Sequence, residues 1–327
     1  MPAGGSAIIE ILIPILRLIL LTLAGFFLFR IREVRERLLK PLVWLTLNIV
    51  FPLYFVHSLP SQWAGGREAG WAWAAIFFSA YLVFLGFQLV LAKLLINRVP
   101  LLRTKYPREF LVLFAMHNAG YVPLPIIAAL APEVVSLYLS FYLIPFIILF
   151  FTVGAWLIQG GAEKSGRFTI NGPMVGIAVG LILAVSGVYS GLPAWVQAPF
   201  RFVSSFALDA VMIVLGAILG SIPAKAIKYR REFGGYILVK MILFPLAVFG
   251  LMLVLSFRNL STEVSAGIKL AMLVEAVAPP ATNIMVLTKA YGTDDQLEYA
   301  GSAIIYSYLA AVVIMPIFLV LAELFFT

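Results

Sequence analysis

The sequence predicts an all-α polytopic membrane protein with ten transmembrane helices, arranged as two inverted five-helix repeats. Three observations predict it. The chain of 327 residues is 63% hydrophobic and 12% charged, whereas a soluble domain has about 45–50% apolar and about 25% charged residues. Its mean hydropathy is +1.05. Ten apolar stretches approach or exceed the length of about 20 residues that crosses a hydrocarbon core. The basic residues between them alternate in density from one loop to the next.

The ten stretches are 8–29, 39–59, 71–95, 109–131, 135–158, 172–190, 196–221, 234–257, 264–289 and 296–326. The first has no basic stretch before it and no small-residue cleavage site after it, so it reads as a retained helix rather than a signal peptide. The last is long enough for part of it to tilt. Between the fifth and sixth lies the clearest linker, 159–171, which is rich in Gly and polar residues. It divides the chain into a first repeat, 1–158, and a second, 172–327.

Lys and Arg set the orientation, because cytoplasmic loops carry the basic excess. On one side fall Arg30, Arg32, Arg35, Arg37, Lys40, Lys93, Arg98, Arg103, Lys105, Arg108, Lys164, Arg167, Lys225, Lys228, Arg230, Arg231 and Lys289. Arg67, Arg201 and Arg258 fall on the other, and Arg17, Lys240 and Lys269 lie within spans. A missed helix would scramble this split, so it supports ten crossings with both termini outside the cytoplasm and 159–171 inside it. Five helices per half is an odd number, so two related halves are inserted upside down relative to each other, as in secondary transporters.

The halves share one unusual feature. The fourth stretch contains Met116-His-Asn-Ala-Gly-Tyr-Val-Pro-Leu-Pro125, and the ninth contains Leu273-Val-Glu-Ala-Val-Ala-Pro-Pro-Ala-Thr-Asn-Ile-Met-Val-Leu287. Proline removes a helix donor and disfavours α geometry at the residue before it. Both helices should therefore break near mid-membrane, at Pro123 and Pro125 and at Pro279 and Pro280. A single proline would mean only a packing kink. Two breaks at matched positions, each with an asparagine, point to a ligand site.

Composition also excludes. The net charge of +8 is the loop bias of a membrane protein rather than a nucleic-acid footprint. With no cysteine and two histidines, neither disulfides nor a zinc centre is expected. No Walker motif or Gly-rich nucleotide loop is present, so ATP does not drive the protein directly.

Five motifs in order resemble one family over nearly the whole chain. They are Asn48-Ile-Val-Phe-Pro52 in the second helix, Asn118-Ala-Gly120-Tyr-Val-Pro123-Leu-Pro125 in the fourth, and Asp209 with Gly216 and Gly220 in the seventh. The other two are Lys240 before Pro245 in the eighth, and Ala-Pro279-Pro280-Ala-Thr-Asn283 leading to Tyr291-Gly292 in the ninth. Together they resemble the auxin efflux carrier family, which includes malate permease-like bacterial proteins and the plant PIN carriers. The short linker resembles the prokaryotic branch, and so implies a multi-pass protein of a prokaryotic inner membrane.

The resemblance implies a bile-acid-symporter-like fold in which the broken helices 4 and 9 cross. A scaffold (helices within 8–59 and 172–221) would carry a mobile transport domain (71–158 and 234–326). It further implies elevator-like transport of a small organic carboxylate, auxin-like or dicarboxylate, and a homodimer formed through the scaffold. No cofactor is expected; transport is coupled to H+ or to Na+, or is facilitated diffusion without a coupling ion.

The residues fit that chemistry. Half-helix N-termini offer unpaired N–H groups and a positive dipole end to an anion. Asn118 and Asn283 have amide donors, His117 adds a titratable donor, and Gly120, Tyr121, Pro125 and Pro280 flank the breaks. Tyr121 either lines the site or packs against it. Glu275 lies about a turn before Pro279, where an ionisable group is costly and by default functional. It carries a coupling proton, joins freed carbonyls around Na+, or pairs with a cation. Lys240 is one possible partner; Lys269, six residues earlier, has poor spacing.

Asp209 either pairs with Arg17 or sits near the outer boundary. Arg17 has Glu10 as its other candidate, two turns away, or a lipid head group. His57 should snorkel to the interface, and Trp63, Trp71, Trp73 and Trp195 read as an interface belt. Gly176, Gly180, Gly187 and Gly191 approach a small-xxx-small stripe suited to close packing or dimerisation.

Other classes fit less well. A channel needs repeated filter residues, and an enzyme needs a dense cluster of acids, bases or nucleophiles; neither is present. A non-transporting sensor and a Na+-coupled bile-acid-type symporter remain as alternatives on the same fold.

Overall fold

The structure, a computed structural model, describes residues 4–65, 70–160, 172–222, 227–228, 230–257 and 260–326. Most of the predicted linker lies outside the described residues, as do Arg67, Lys164, Arg167, Lys225, Arg258 and the side chain of Glu10. We label the helices α1 (Gly4–Arg30), α2 (Arg32–Trp63), α3 (Gly70–Arg98), α4 (Pro107–Ala115), α5 (Pro123–Leu130) and α6 (Glu133–Gln159). Then follow α7 (Gly172–Ser186), α8 (Ala194–Ser221), α9 (Arg231–Val254), α10 (Thr262–Val277), α11 (Ile284–Tyr291) and α12 (Asp294–Phe326).

Among the described residues, six helices (α2, α3, α6, α8, α9 and α12) are long and apolar enough to cross a membrane. They correspond to the second, third, fifth, seventh, eighth and tenth predicted stretches. The fourth and ninth are divided at their prolines into α4 and α5 and into α10 and α11. The sixth is the 15-residue α7, shorter than predicted because the chain turns at Gly187, where φ is +69°, a left-handed value that glycine takes without strain.

The basic stretch after the first helix, predicted as a loop, is helical instead. Only Ile31 separates α1 from α2. Charged residues at a helix end need not unwind it, and Arg32 supports the first turn through Glu36 one turn on, at 2.7 Å.

Among the described residues, three helices contain a widened π turn: Thr46–Val50 in α2, Phe150–Gly154 in α6 and Ile237–Leu243 in α9. Two have a visible cause. Pro52 and Pro245 lack the N–H that would pair with the carbonyls of Asn48 and Met241, so the preceding turn loosens.

Packing divides the helices into two groups. α1 runs along α8, and α2 along α7. Glycines allow the backbones to touch: a Cβ on Gly216 or Gly220 would overlap the carbonyls of Thr22 or Phe26 in α1, and one on Gly176 or Gly180 would overlap Pro52 or Phe55 in α2. The glycine stripe predicted in the sixth stretch is thus used within the chain at Gly176 and Gly180. Arg17 of α1 pairs with Asp209 of α8, one of the two arrangements the sequence allows. His57 is held by the Tyr189 hydroxyl at 2.7 Å, and Trp63 is buried against Trp71 and Phe141.

The second group comprises α3–α6 and α9–α12. Its core is aromatic, with Tyr81, Tyr138, Tyr142, Tyr236 and Tyr299 almost wholly buried. The two groups meet where α2 faces α6 and where α1 faces α5 and α12. The outer surfaces expose large apolar side chains such as Phe27, Trp44, Val83, Phe202 and Leu309. In water these would form an aggregating surface; in lipid they are the solvated face.

Candidate functional site

The two breaks meet. Pro279 and Pro280 end α10 at Val277, and the chain runs without helix from Ala278 to Asn283. The first break runs from Met116 to Val122. The freed backbone groups pair with each other in an antiparallel bridge between His117 and Pro280. Asn118 N donates to Pro279 O at 2.7 Å, and Ala281 N donates to Met116 O at 3.0 Å. Buried backbone groups that lose helical partners must find others, and here each break satisfies the other.

One carbonyl near the end of each of α4 and α10 is capped from α9. The Tyr236 hydroxyl donates to the Leu113 carbonyl in the last turn of α4, at 3.0 Å. Lys240 Nζ, four residues on, donates to the Ala276 carbonyl at the end of α10, at 3.3 Å. That carbonyl would have paired with the N–H that Pro280 lacks.

Asn118 organises the start of α5. Its Oδ1 accepts from Tyr121 N at 2.8 Å, and its Nδ2 donates to the Tyr308 hydroxyl of α12 at 2.6 Å. The N-termini of α5 and α11 therefore emerge beside the paired segments. A cavity of about 210 Å³ opens there, lined by Asn118, Gly120, Tyr121, Thr282 and Asn283, with Asn48, Phe51 and Phe55 of α2 and Phe146 and Phe150 of α6 on its walls. Tyr121 stacks on Phe51 across the boundary between the two groups, with centroids 5.7 Å apart and planes at 12°. Two of the π turns, in α2 and α6, form part of the wall.

Four predicted site residues (Asn118, Gly120, Tyr121 and Asn283) line this cavity. His117, Pro125 and Pro280 do not. Pro123 and Pro125 form the first turn of α5, and Pro279 and Pro280 shape the bridge. Sequence reasoning missed Thr282, whose buried hydroxyl has no hydrogen-bond partner, although it stands between Pro280 and Asn283. It also missed Tyr308 and Phe51, which only tertiary packing brings here. No lysine or arginine lines the cavity among the described residues, so its polar end consists of amide and hydroxyl groups.

A second polar cluster lies buried away from the cavity. His117 Nε2 is 2.8 Å from Glu275 Oε2 and 3.0 Å from the Tyr142 hydroxyl. The Tyr81 ring packs against both His117 and Tyr142. Lys240 lies within Coulombic reach of Glu275 and has the Phe244 ring 4.8 Å from its nitrogen. His117, Glu275, Lys240, Tyr81 and Tyr142 are all at 0% exposure. Lys269 is directed elsewhere, toward the Phe326 ring. No group of His, Cys, Asp and Glu among the described residues could hold a metal ion.

An all-helical membrane protein whose interrupted helices share backbone hydrogen bonds beside a small cavity has the build of a membrane transport protein. Residues 167–319 match the family described as "Membrane transport protein". This match supports the resemblance to the auxin efflux carriers that the motifs carry. No curated protein sequence matches it.

Proposed function

We propose that this membrane transporter is a secondary carrier of small organic anions, with its site at the paired breaks. The observation that carries the reading is the cavity itself. Asn118, Thr282 and Asn283 offer neutral donors, and the α5 and α11 N-termini offer positive dipole ends. An anion is thus neutralised without a bare lysine in the membrane. The walls are aromatic, which favours a carboxylate with an apolar body, auxin-like, over a dicarboxylate. At about 210 Å³ the cavity is smaller than the range of about 300–1,000 Å³ typical of ligand pockets, which suits a small substrate.

In this reading the chain crosses the membrane ten times as two inverted repeats. α1, α2, α7 and α8 form the scaffold, and the other helices move as an elevator that carries the crossed breaks. The glycine-tight contacts within the scaffold group and the stacked ring boundary at Phe51 and Tyr121 support that division. The protein forms a homodimer through the scaffold and sits in a prokaryotic inner membrane with both termini outside. Glu275, held by His117, is the coupling residue.

The deciding experiment is a thermal-shift series on purified protein with indole-3-acetate, malate, malonate and taurocholate, each with and without Na+ and at two pH values. A ligand that binds only the folded state raises Tm. We expect indole-3-acetate to raise it and Asn283→Ala to abolish the rise. If no anion shifts Tm, the carrier reading gives way to the sensor or to a neutral ligand.

A further inference from the structure

Pro279 and Pro280 do more than interrupt α10. Neither has an N–H, so the carbonyls of Glu275 and Ala276 both lose their helical donors. The same turn carries the Glu275 carboxylate, whose Oε1 is buried without a hydrogen-bond partner. Two freed carbonyls and a carboxylate at the negative end of a half-helix form the kind of oxygen set that coordinates Na+ in carriers with broken helices. The Lys240 ammonium stands at that place, fully buried and bonded to the Ala276 carbonyl.

We propose that Lys240 is a tethered cation occupying the position a monovalent metal ion would take, so that this protein needs no Na+ to hold its site. A lysine serving only as a counter-ion would contact the carboxylate directly. Here the Glu275 carboxylate hydrogen-bonds His117, while the ammonium goes to a carbonyl that only Pro280 sets free. The cation is therefore matched to the break as well as to the charge. Removing the side chain leaves an oxygen-lined vacancy with an uncompensated buried carboxylate, which small cations fill. The site is read from this geometry alone; only its consequence for uptake rests on the carrier reading.

The test compares wild type, Lys240→Ala and the double variant Lys240→Ala/Glu275→Gln, purified and melted in NaCl or in choline chloride. Wild type should melt at the same temperature in both salts. Lys240→Ala should gain about 3 °C or more in Na+ over choline, and the double variant should lose that gain. A Na+ response in wild type, a folded Lys240→Ala that ignores Na+, or a double variant that still responds would each overturn the proposal. If Lys240→Ala cannot be purified in choline, purification in Na+ decides: recovery supports the proposal and failure in both salts overturns it. Ligand binding by wild type is scored separately, so a protein that binds no carboxylate yet shows this pattern refutes the carrier reading and leaves the tethered cation standing.

Discussion

The N–H of Asn118 donates to the carbonyl of Pro279 at 2.7 Å, joining two breaks that are more than 150 residues apart in the chain. Each break leaves the other's backbone groups satisfied, so neither is complete alone. Restoring one helix should therefore damage the other. Pro279→Ala combined with Pro280→Ala gives α10 the donors to run on through Ala281, withdrawing Ala281 N from Met116. Uptake by this variant in proteoliposomes should fall to background while the protein still inserts and folds. Wild-type uptake would show that the break is dispensable.

Asn283 lines the cavity at the N-terminus of α11, and under the proposed function its amide donates to the bound carboxylate. A hydrogen bond to a charged group contributes about 1.5–3 kcal/mol. Asn283→Ala should thus weaken binding by about 10–100-fold, measured by ligand titration of Tm, with expression unchanged. Normal affinity would remove Asn283 from the site.

Asn118 binds the Tyr121 N–H and the Tyr308 hydroxyl at once. Asn118→Ala leaves both without a partner and should cost about 1–3 kcal/mol, seen as a lower Tm without ligand. Tyr308→Phe removes one bond and should cost less, about 0.5–1.5 kcal/mol. Equal losses would mean that the cap on Tyr121 contributes nothing.

Glu275 shares His117 with Tyr142 in a cluster closed to water. If this carboxylate moves a proton during the cycle, Glu275→Gln flattens the pH profile of uptake. Tyr142→Phe, which keeps the carboxylate, should lower the rate and leave the shape of the profile. A Glu275→Gln profile that follows wild type would restrict Glu275 to a structural role.

Gly176 lets α7 lie against Pro52 of α2. Gly176→Leu forces the helices apart and should destabilise by about 1–3 kcal/mol or more, or about 2–10 °C in Tm. An unchanged Tm would show that the two helices separate freely.

Much of this was legible in the residues. The prolines at 123, 125, 279 and 280 announced both breaks, because a missing N–H is a property of the residue itself. Asn118 and Asn283 stood out beside them as polar residues in apolar runs. Arg17 and Asp209 were among each other's candidate partners because few charges fall within the apolar stretches. The glycines of α7 signalled a close neighbour but not which one.

What stayed hidden depends on pairing over long separations. Nothing local says that the His117 imidazole will meet Glu275 rather than the cavity, or that Tyr236 and Lys240 will cap two different helices. Tyr308 looks like any interior aromatic until Asn118 is placed against it. Thr282 was overlooked because a threonine inside a membrane helix usually satisfies its hydroxyl on its own backbone; here the break takes that partner away.

The antiparallel bridge at His117 and Pro280 also bears on how such a protein diversifies. Its hydrogen bonds run between main-chain atoms, which every residue but proline carries in full, whereas the cavity is faced by side chains. Mutation can thus revise the cavity lining at Tyr121, Thr282 or Phe51 while the paired breaks persist. Descendants of one ancestral chain could exchange cargo without passing through an unfolded intermediate, so a shared architecture among relatives is compatible with dissimilar diets.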